Sequence, residues 1–389
     1  MRKSILLGAS GLIAGLIVGY LIFVFRPSSN MSGVLPIQSN EIIGFLPYWL
    51  LPETKNKDYS PYITDLTYFD LTLDNTGSVQ KLVNADEEEP GWHALHSGSL
   101  DAYFKQARKK GIELSLLVFS GDPDTIEQMV STPQKSANAM MHDVAPLMRQ
   151  YGFSDLNLDI EDVATATGSA EQNFTAFVRQ TKKLLIEKKL GTLTVDISPD
   201  NLIHKRLIDS QAVGEIADRV VIMGYDYHYI GSYVTGAVAP LSGAGIDAEY
   251  DIETAMTKAL AVIPARKVIL GAPLYGYSWE TLTNTPKAAV IPGTGLTVSD
   301  AHAEQFLANC ATCSAKLDAE AEEAYVIYKD QGTGTYHEMF FPNARSMEAK
   351  VEYARQTHLG GMAVWALGYE GQTILNPLRA YKAKTIYLF

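Results

Sequence analysis

Beyond residue 40 the chain alternates short apolar runs with longer stretches in which apolar residues recur every three or four positions. The short runs fall at Glu41 to Leu46, Leu66 to Leu71, Ile112 to Phe119, Asp155 to Ile160, Leu193 to Ser198, Arg219 to Gly224, Val268 to Pro273 and Gly361 to Trp365. Helical periodicity is clearest over Ser99 to Lys110, Ser136 to Tyr151, Glu171 to Lys189, Ile252 to Ile263 and Ser346 to His358. Strand-length runs separated by amphipathic helices mark βα repeats on a parallel sheet. Eight of them predict a (β/α)8 TIM barrel rather than an open doubly wound sheet. No Gly-rich phosphate fingerprint follows the first run, which argues against a dinucleotide fold. The gap from Trp279 to Arg345 is too long for an ordinary βα loop. It predicts a small α+β insertion at about residues 280–345, between the seventh and eighth strands, with strand patterns at Ala324 to Lys329 and Tyr336 to Phe341.

The pattern differs at the N-terminus. Ile5 to Phe25 carries no charge and, at about 1.5 Å of rise per residue, is long enough to cross a hydrocarbon core. Residues 1–26 therefore read as a signal anchor. Arg2 and Lys3 precede the run and Arg26 follows it, a bias that keeps the N-terminus in the cytoplasm and places the rest outside. The alternative is a cleaved signal peptide and a secreted chain, but the stretch exceeds a typical signal h-region and no Ala-x-Ala site follows. Gly11, Gly15 and Gly19 would let two such helices approach in a weak dimer, although small residues are common in membrane helices generally. Pro27 to Asn40, rich in Ser, Asn, Gly and Pro, reads as a flexible linker, leaving 41–389 for the barrel.

Composition narrows the function classes. The chain has 389 residues and is 47% hydrophobic, enough for a sizeable core. Lys plus Arg number 32 against 44 Asp plus Glu, and a net charge of −12 repels phosphate backbones, so nucleic acid is excluded as a partner. The two cysteines, Cys310 and Cys313, are too few for a disulfide scaffold or a four-thiolate zinc site. Outside the cytoplasm they read as a local disulfide. His302 nearby does not complete a metal set, and no metal or cofactor is expected. Tyr, at 21, outnumbers Phe at 13 and Trp at 4, and such amphipathic rings suit polar ligands with apolar faces.

The most informative run is Phe153-Ser-Asp-Leu-Asn-Leu-Asp-Ile-Glu161. On a strand Leu156, Leu158 and Ile160 point one way and Asn157, Asp159 and Glu161 the other. In an αβ barrel the leucines suit the helix layer, which sends an amide and two carboxylates inward, Glu161 nearest the C-terminal rim where barrel active sites form. Buried acids must be hydrogen-bonded or share a proton, and that coupling raises the pKa of one member, as a general acid requires. The alternative is an edge strand whose polar face meets water.

This run resembles the Asp-Gly-x-Asp-x-Asp-x-Glu signature of glycoside hydrolase family 18, the chitinases and relatives. Gly44-Phe-Leu-Pro-Tyr-Trp49, Val118-Phe-Ser-Gly121, Met223-Gly-Tyr-Asp226, Gly271-Ala-Pro-Leu-Tyr-Gly-Tyr-Ser-Trp279 and Gly360-Gly-Met-Ala-Val-Trp365 agree with the same family in order. The stretch from His337 to Trp365 is most similar to its bacterial cell-wall and spore-associated branch. The resemblance implies a retaining glycosidase acting on β-1,4-linked N-acetylglucosamine polymers, chitin or peptidoglycan, in which the 2-acetamido oxygen of the sugar attacks its own anomeric carbon. It assigns Glu161 as acid and then base, Asp159 as holder of the acetamido N–H, and Tyr225 as hydroxyl donor to the acetamido oxygen. Asn157, Asp226, Met223, Trp365, Tyr48, Trp49 and Tyr275 would contact substrate, with Asn157 supporting Asp159 and Trp365 forming the floor. Tyr275 and Tyr277 also read as core filling. Ser154 and Asp155 depart from the signature's opening Asp-Gly; Asp155 would partly compensate for the lost acid, although strand alternation sends it elsewhere. A catalytically silent glycan-binding protein is the alternative, and retention of Glu161 weighs against it. A barrel enzyme of unrelated chemistry would need other strand-end residues.

Overall fold

Strand alternation with both faces covered closes the sheet. In the computed structural model, which describes residues 40–162, 164, 168–245 and 248–383, eight parallel strands form a closed barrel. They are β1 (Glu41–Pro47), β2 (Asp65–Thr72), β3 (Glu113–Ser120), β4 (Asp155–Ile160), β5 (Thr192–Ile197), β6 (Arg219–Met223), β7 (Val268–Pro273) and, after the insertion, β13 (Gly361–Trp365). β1 pairs with both β2 and β13, so no edge is left open. The strands fall within a residue or two of the expected runs. The expected membrane span, its Gly11, Gly15 and Gly19 contact, and all of the linker but Asn40 lie outside the described residues. Among the described residues no helix is long and apolar enough to cross a membrane.

The five expected helices form on the outside: α1 (Asp101–Lys109), α2 (Pro133–Tyr151), α3 (Ala170–Lys188), α4 (Ile252–Val262) and, after the insertion, α6 (Ala344–Gln356). Their starts are fixed by capping where the sequence supplies it: Asp251 accepts from the Thr254 amide at 2.7 Å and Asn343 from that of Ser346 at 3.0 Å. Leu156, Leu158 and Ile160 are buried in the same cluster as Met141 and Val144 of α2 and Phe174 and Val178 of α3. The outward half of the β4 pattern therefore does what its alternation predicts.

The insertion is a five-stranded sheet in the order β9-β8-β12-β11-β10. Its strands are β8 (Tyr275–Thr281), β9 (Leu296–Ser299), β10 (Lys316–Asp318), β11 (Glu323–Lys329) and β12 (Tyr336–Phe341). Helix α5 (Asp300–Asn309) follows β9. Just beyond it Cys310 and Cys313 form a disulfide, closing one turn.

The barrel interior is stratified. At its N-terminal end Arg219 on β6 meets three carboxylates: Nη1 lies 2.8 Å from Asp65 and 3.2 Å from Glu41, and Nη2 3.1 Å from Asp155. Burial alone would lower the guanidinium pKa, but Asp155, Asp65 and Glu41 outweigh it and raise it. Asp155 also accepts from Ser115 at 2.7 Å and Thr192 at 2.6 Å. Asp155 is thus committed to this ionic layer and does not compensate for the missing first acid of the signature. Ser154 points elsewhere, donating to Glu113 at 2.9 Å. Above lies an apolar plug of Ile43, Leu117, Val221, Ile269 and Ala363, with Phe45, Phe69, Phe119 and Trp365 toward the opposite mouth. Replacing Arg219 with Leu would leave buried carboxylates without their counter-charge, and a loss of about 3–5 kcal/mol is expected in urea unfolding; a loss under about 1 kcal/mol would contradict this reading of the layer.

Candidate active site

Asp159 and Glu161 stand at the C-terminal mouth. The Glu161 amide donates to Ser120 O at 2.9 Å, prolonging the β3–β4 pairing by one step and keeping the alternation in phase. Both side chains line a cleft of about 440 Å³ together with Tyr48, Trp49, Met223, Tyr225, Asp226, Tyr275 and Trp365. These are nine of the ten residues singled out in the sequence. The tenth, Asn157, is a correction: it is fully buried one layer beneath and does not line the cleft. Strand parity places it on the inner face, but its depth along β4 leaves it out of reach.

What Asn157 meets instead is Asp196 on β5, a residue that sequence reading missed. The Asn157 amide lowers the Asp196 pKa, against a larger rise from burial, although neither of its polar atoms reaches strict hydrogen-bond geometry. Asp196 is further raised by Glu161 and Asp155 and relieved by Arg219. Asp159 is held well above the usual carboxylate range, first by burial and then by Glu161, Asp196 and Asp70. Its Oδ1 and that of Asp196 are buried without a hydrogen-bond partner among the described residues. Acids packed in this way share protons rather than all ionising. Glu161 opens onto the cleft, yet surrounding protein and then the Asp226 charge raise its pKa too.

Tyr225 and Asp226 follow β6. Asp226 has φ of +62°, a conformation that Asp tolerates better than most residues. Its Oδ1 accepts from Tyr275 Oη at 2.5 Å and Tyr277 Oη at 3.0 Å. Tyr275 and Tyr277 therefore act on the site through Asp226, which is more than the core filling they also suggest. Tyr225 is raised well above an ordinary phenol, by burial first and then by Asp159, Asp196, Glu161 and Asp226, so its hydroxyl stays protonated and able to donate. The aromatic wall is Trp365 against Phe69 at 4.5 Å between ring centroids and Trp49 against Phe69 at 5.7 Å. A second lobe of about 190 Å³ shares Glu161, Met223, Tyr225 and Asp226 with the main cleft and runs on to Asp200, Tyr227 and Tyr250.

The insertion fastens this loop. Glu323 on β11 accepts from the Val238 amide at 2.7 Å and the Ala239 amide at 2.9 Å, and the Tyr227 amide donates to Val238 O at 3.0 Å. Glu338 on β12 accepts from Thr235 Oγ1 at 2.5 Å. The segment carrying Tyr225 and Asp226 is thus tied to the insertion sheet by two buried carboxyls, and nothing in the local sequence of either announces it.

An aromatic-walled cleft with clustered acids at the C-terminal mouth of an eight-stranded barrel is the arrangement a glycoside hydrolase requires. Residues 42–370 match the sequence profile of Glycosyl hydrolases family 18, and the chain belongs to that family. YdhD of Bacillus subtilis (strain 168), whose name carries the description sporulation-specific glycosylase, is 27% identical over 347 residues, covering 86% of this chain and 74% of its own. The cortical fragment-lytic enzyme of the same organism is 27% identical over 253 residues, 63% of this chain and 53% of its own. The chain thus spans about half the length of that relative. Among solved structures, the Ostrinia furnacalis Group IV chitinase in complex with allosamidin superposes with a TM-score of 0.76 at 18% identity, over 88% of this chain and 98% of the other. The Bacillus cereus spore cortex-lytic enzyme SleL gives 0.69 at 21%, over 89% and 74%.

Because the Asp226 charge is one cause of the raised Glu161 pKa, Asp226→Asn should lower the Glu161 midpoint in a carboxyl-carbon NMR titration. An unchanged or higher midpoint would contradict a repulsive coupling between the two carboxylates.

Proposed function

We propose that the chain is a membrane-tethered, extracytoplasmic glycosidase that cleaves β-1,4-linked N-acetylglucosamine-containing glycans by substrate-assisted catalysis with retention. The observation that carries the reading is the convergence of Glu161, Asp159, Tyr225, Asp226 and Trp365 on one cleft. Chitin and peptidoglycan both supply the required sugar; relatives named for spore-cortex lysis support the second and those named as chitinases the first. The charge-free run Ile5 to Phe25 after Arg2 and Lys3 supports the tether.

The sugar to be cleaved stacks on Trp365 with its acetamido group toward Asp159 and Tyr225. Glu161, whose pKa is raised by surrounding protein and then by Asp226, gives its proton to the glycosidic oxygen. As that bond breaks, the acetamido oxygen forms a bond to the anomeric carbon and positive charge spreads over the acetamido group. Asp159 accepts the acetamido N–H, and the Tyr225 hydroxyl donates to its oxygen. Water then loses a proton to the Glu161 carboxylate and adds to the anomeric carbon, the acetamido group is released, and Glu161 is protonated again. Two displacements leave the β configuration unchanged.

A raised Glu161 pKa carries the protonated acid to higher pH, so kcat/KM should fall as pH rises through that value. Glu161→Gln should abolish turnover of N-acetylglucosamine oligomers, by about 100-fold or more, while calorimetry still records their binding. Undiminished turnover of the variant would overturn the assignment, and binding by a wild-type protein with no turnover would favour a glycan-binding role.

A further inference from the structure

The main cleft holds a second pair of acids that the reaction above does not use. Asp70 on β2 and Glu89, which follows a short hairpin, both line the cleft and are 4% and 6% exposed. Thr72 Oγ1 lies between them, 3.4 Å from Asp70 Oδ2 and 3.5 Å from Glu89 Oε1. Asp70 reaches the cleft because the β2–β3 register shifts between Tyr68 and Leu71, which takes residues 69 and 70 out of the regular alternation. Glu89 is steadied from the other side, its Oε2 accepting the Trp92 amide at 2.6 Å at a helix start. Beside the pair stand the rings of Phe69, Trp49 and Trp365, packed edge-to-face with one another, so apolar ring surface for a sugar and two carboxyls for its polar groups share one lobe.

The lobe has a polarity. Trp365, Tyr225 and Asp159 hold the sugar undergoing cleavage in this lobe, on the proposed reading, and Asp70 and Glu89 belong to it and not to the one leading to Asp200. The same reading takes this lobe as the glycone side. Among the described residues neither lobe is lined by a Lys, Arg or His. Burial and the Glu89 charge raise Asp70 to about 7, against the Thr72 hydrogen bond, which records how poorly this place tolerates another negative group.

We propose that Asp70 and Glu89 are specificity-determining residues of the glycone lobe, accepting hydrogen bonds from the hydroxyl, amide or ammonium groups of a neutral or aminated sugar and rejecting a sugar that carries a free carboxylate. The inference rests on the proposed function and deepens it, since it names the glycone-side chemistry: N-acetylglucosamine units or their N-deacetylated forms, in preference to muramyl units with an ionised lactyl group. A carboxylate brought beside the Glu89 charge, and beside Asp70 whose own ionisation that charge already opposes, meets like charge.

The test compares kcat/KM for three substrates at neutral pH: N-acetylglucosamine oligomers, glycan strands of peptidoglycan stripped of peptide so that the lactyl carboxylates are free, and the same strands after the carboxylates are capped as methylamides. The wild-type protein should favour the neutral oligomers over the free-acid strands by at least about tenfold, or about 1.4 kcal/mol. Capping should recover most of that difference. Asp70→Asn with Glu89→Gln, which retains an oxygen to cap the Trp92 amide, should bring free-acid and capped strands to within about twofold of each other. Equal wild-type rates on free-acid and capped strands, or a ratio that survives both substitutions, would overturn the proposal while leaving the glycosidase reading intact. Failure of the folded wild-type protein to cleave any of the three would overturn both.

Discussion

Arg219 neutralises the lower end of a column of acids buried along the barrel axis, and the acids above it must be held by proton sharing. Asp65, Asp155 and Glu41 surround the guanidinium, Asp196 feels both it and Asp155, and Asp159 and Glu161 stand above. Taking ionised carboxylates out of water costs several kcal/mol each unless they are paired or protonated. The lower layer solves this by pairing and the upper one by raised pKa values. The same arrangement that makes the interior tolerable therefore raises the pKa of the acids at the mouth, where chemistry needs a proton donor.

The barrel was legible because its strands are buried on both faces and its helices on one, so the two periodicities stay distinct along the chain. The pair Asp159 and Glu161 was legible for a related reason: two carboxylates on the inward parity of an otherwise apolar strand, the last of them at its C-terminal end, point to the barrel mouth. Asp196 was not, since Thr-Leu-Thr-Val-Asp-Ile reads as an ordinary strand with polar residues on one side. Its signal was the inward parity of Thr194 and Asp196 together. Asp70 escaped because the register shift in β2 breaks the rule that would have assigned its face. Parity alone also overreached, placing Asn157 in the cleft when depth along the strand puts it beneath.

The insertion illustrates a contact that no local pattern encodes. Glu323 and Glu338 lie about a hundred residues from the loop they bind, and only the tertiary structure brings them to Thr235, Val238 and Ala239. Their effect is to fix the backbone that presents Tyr225 and Asp226, while Tyr275 and Tyr277 on β8 hold the Asp226 carboxylate. The site is thus assembled from strand ends below and the insertion beside, with aromatic rings between. Such a division gives rigid placement of the acids and leaves the cleft's outer contacts to vary.

The central claim is that Glu161 supplies the proton while the substrate's own acetamido group supplies the nucleophile. It is tested most directly by following hydrolysis of an N-acetylglucosamine oligomer by proton NMR before mutarotation intervenes. Two displacements at the anomeric carbon predict that the newly formed reducing end appears first as the β-anomer. First appearance of the α-anomer would mean direct attack by water and would contradict the claim.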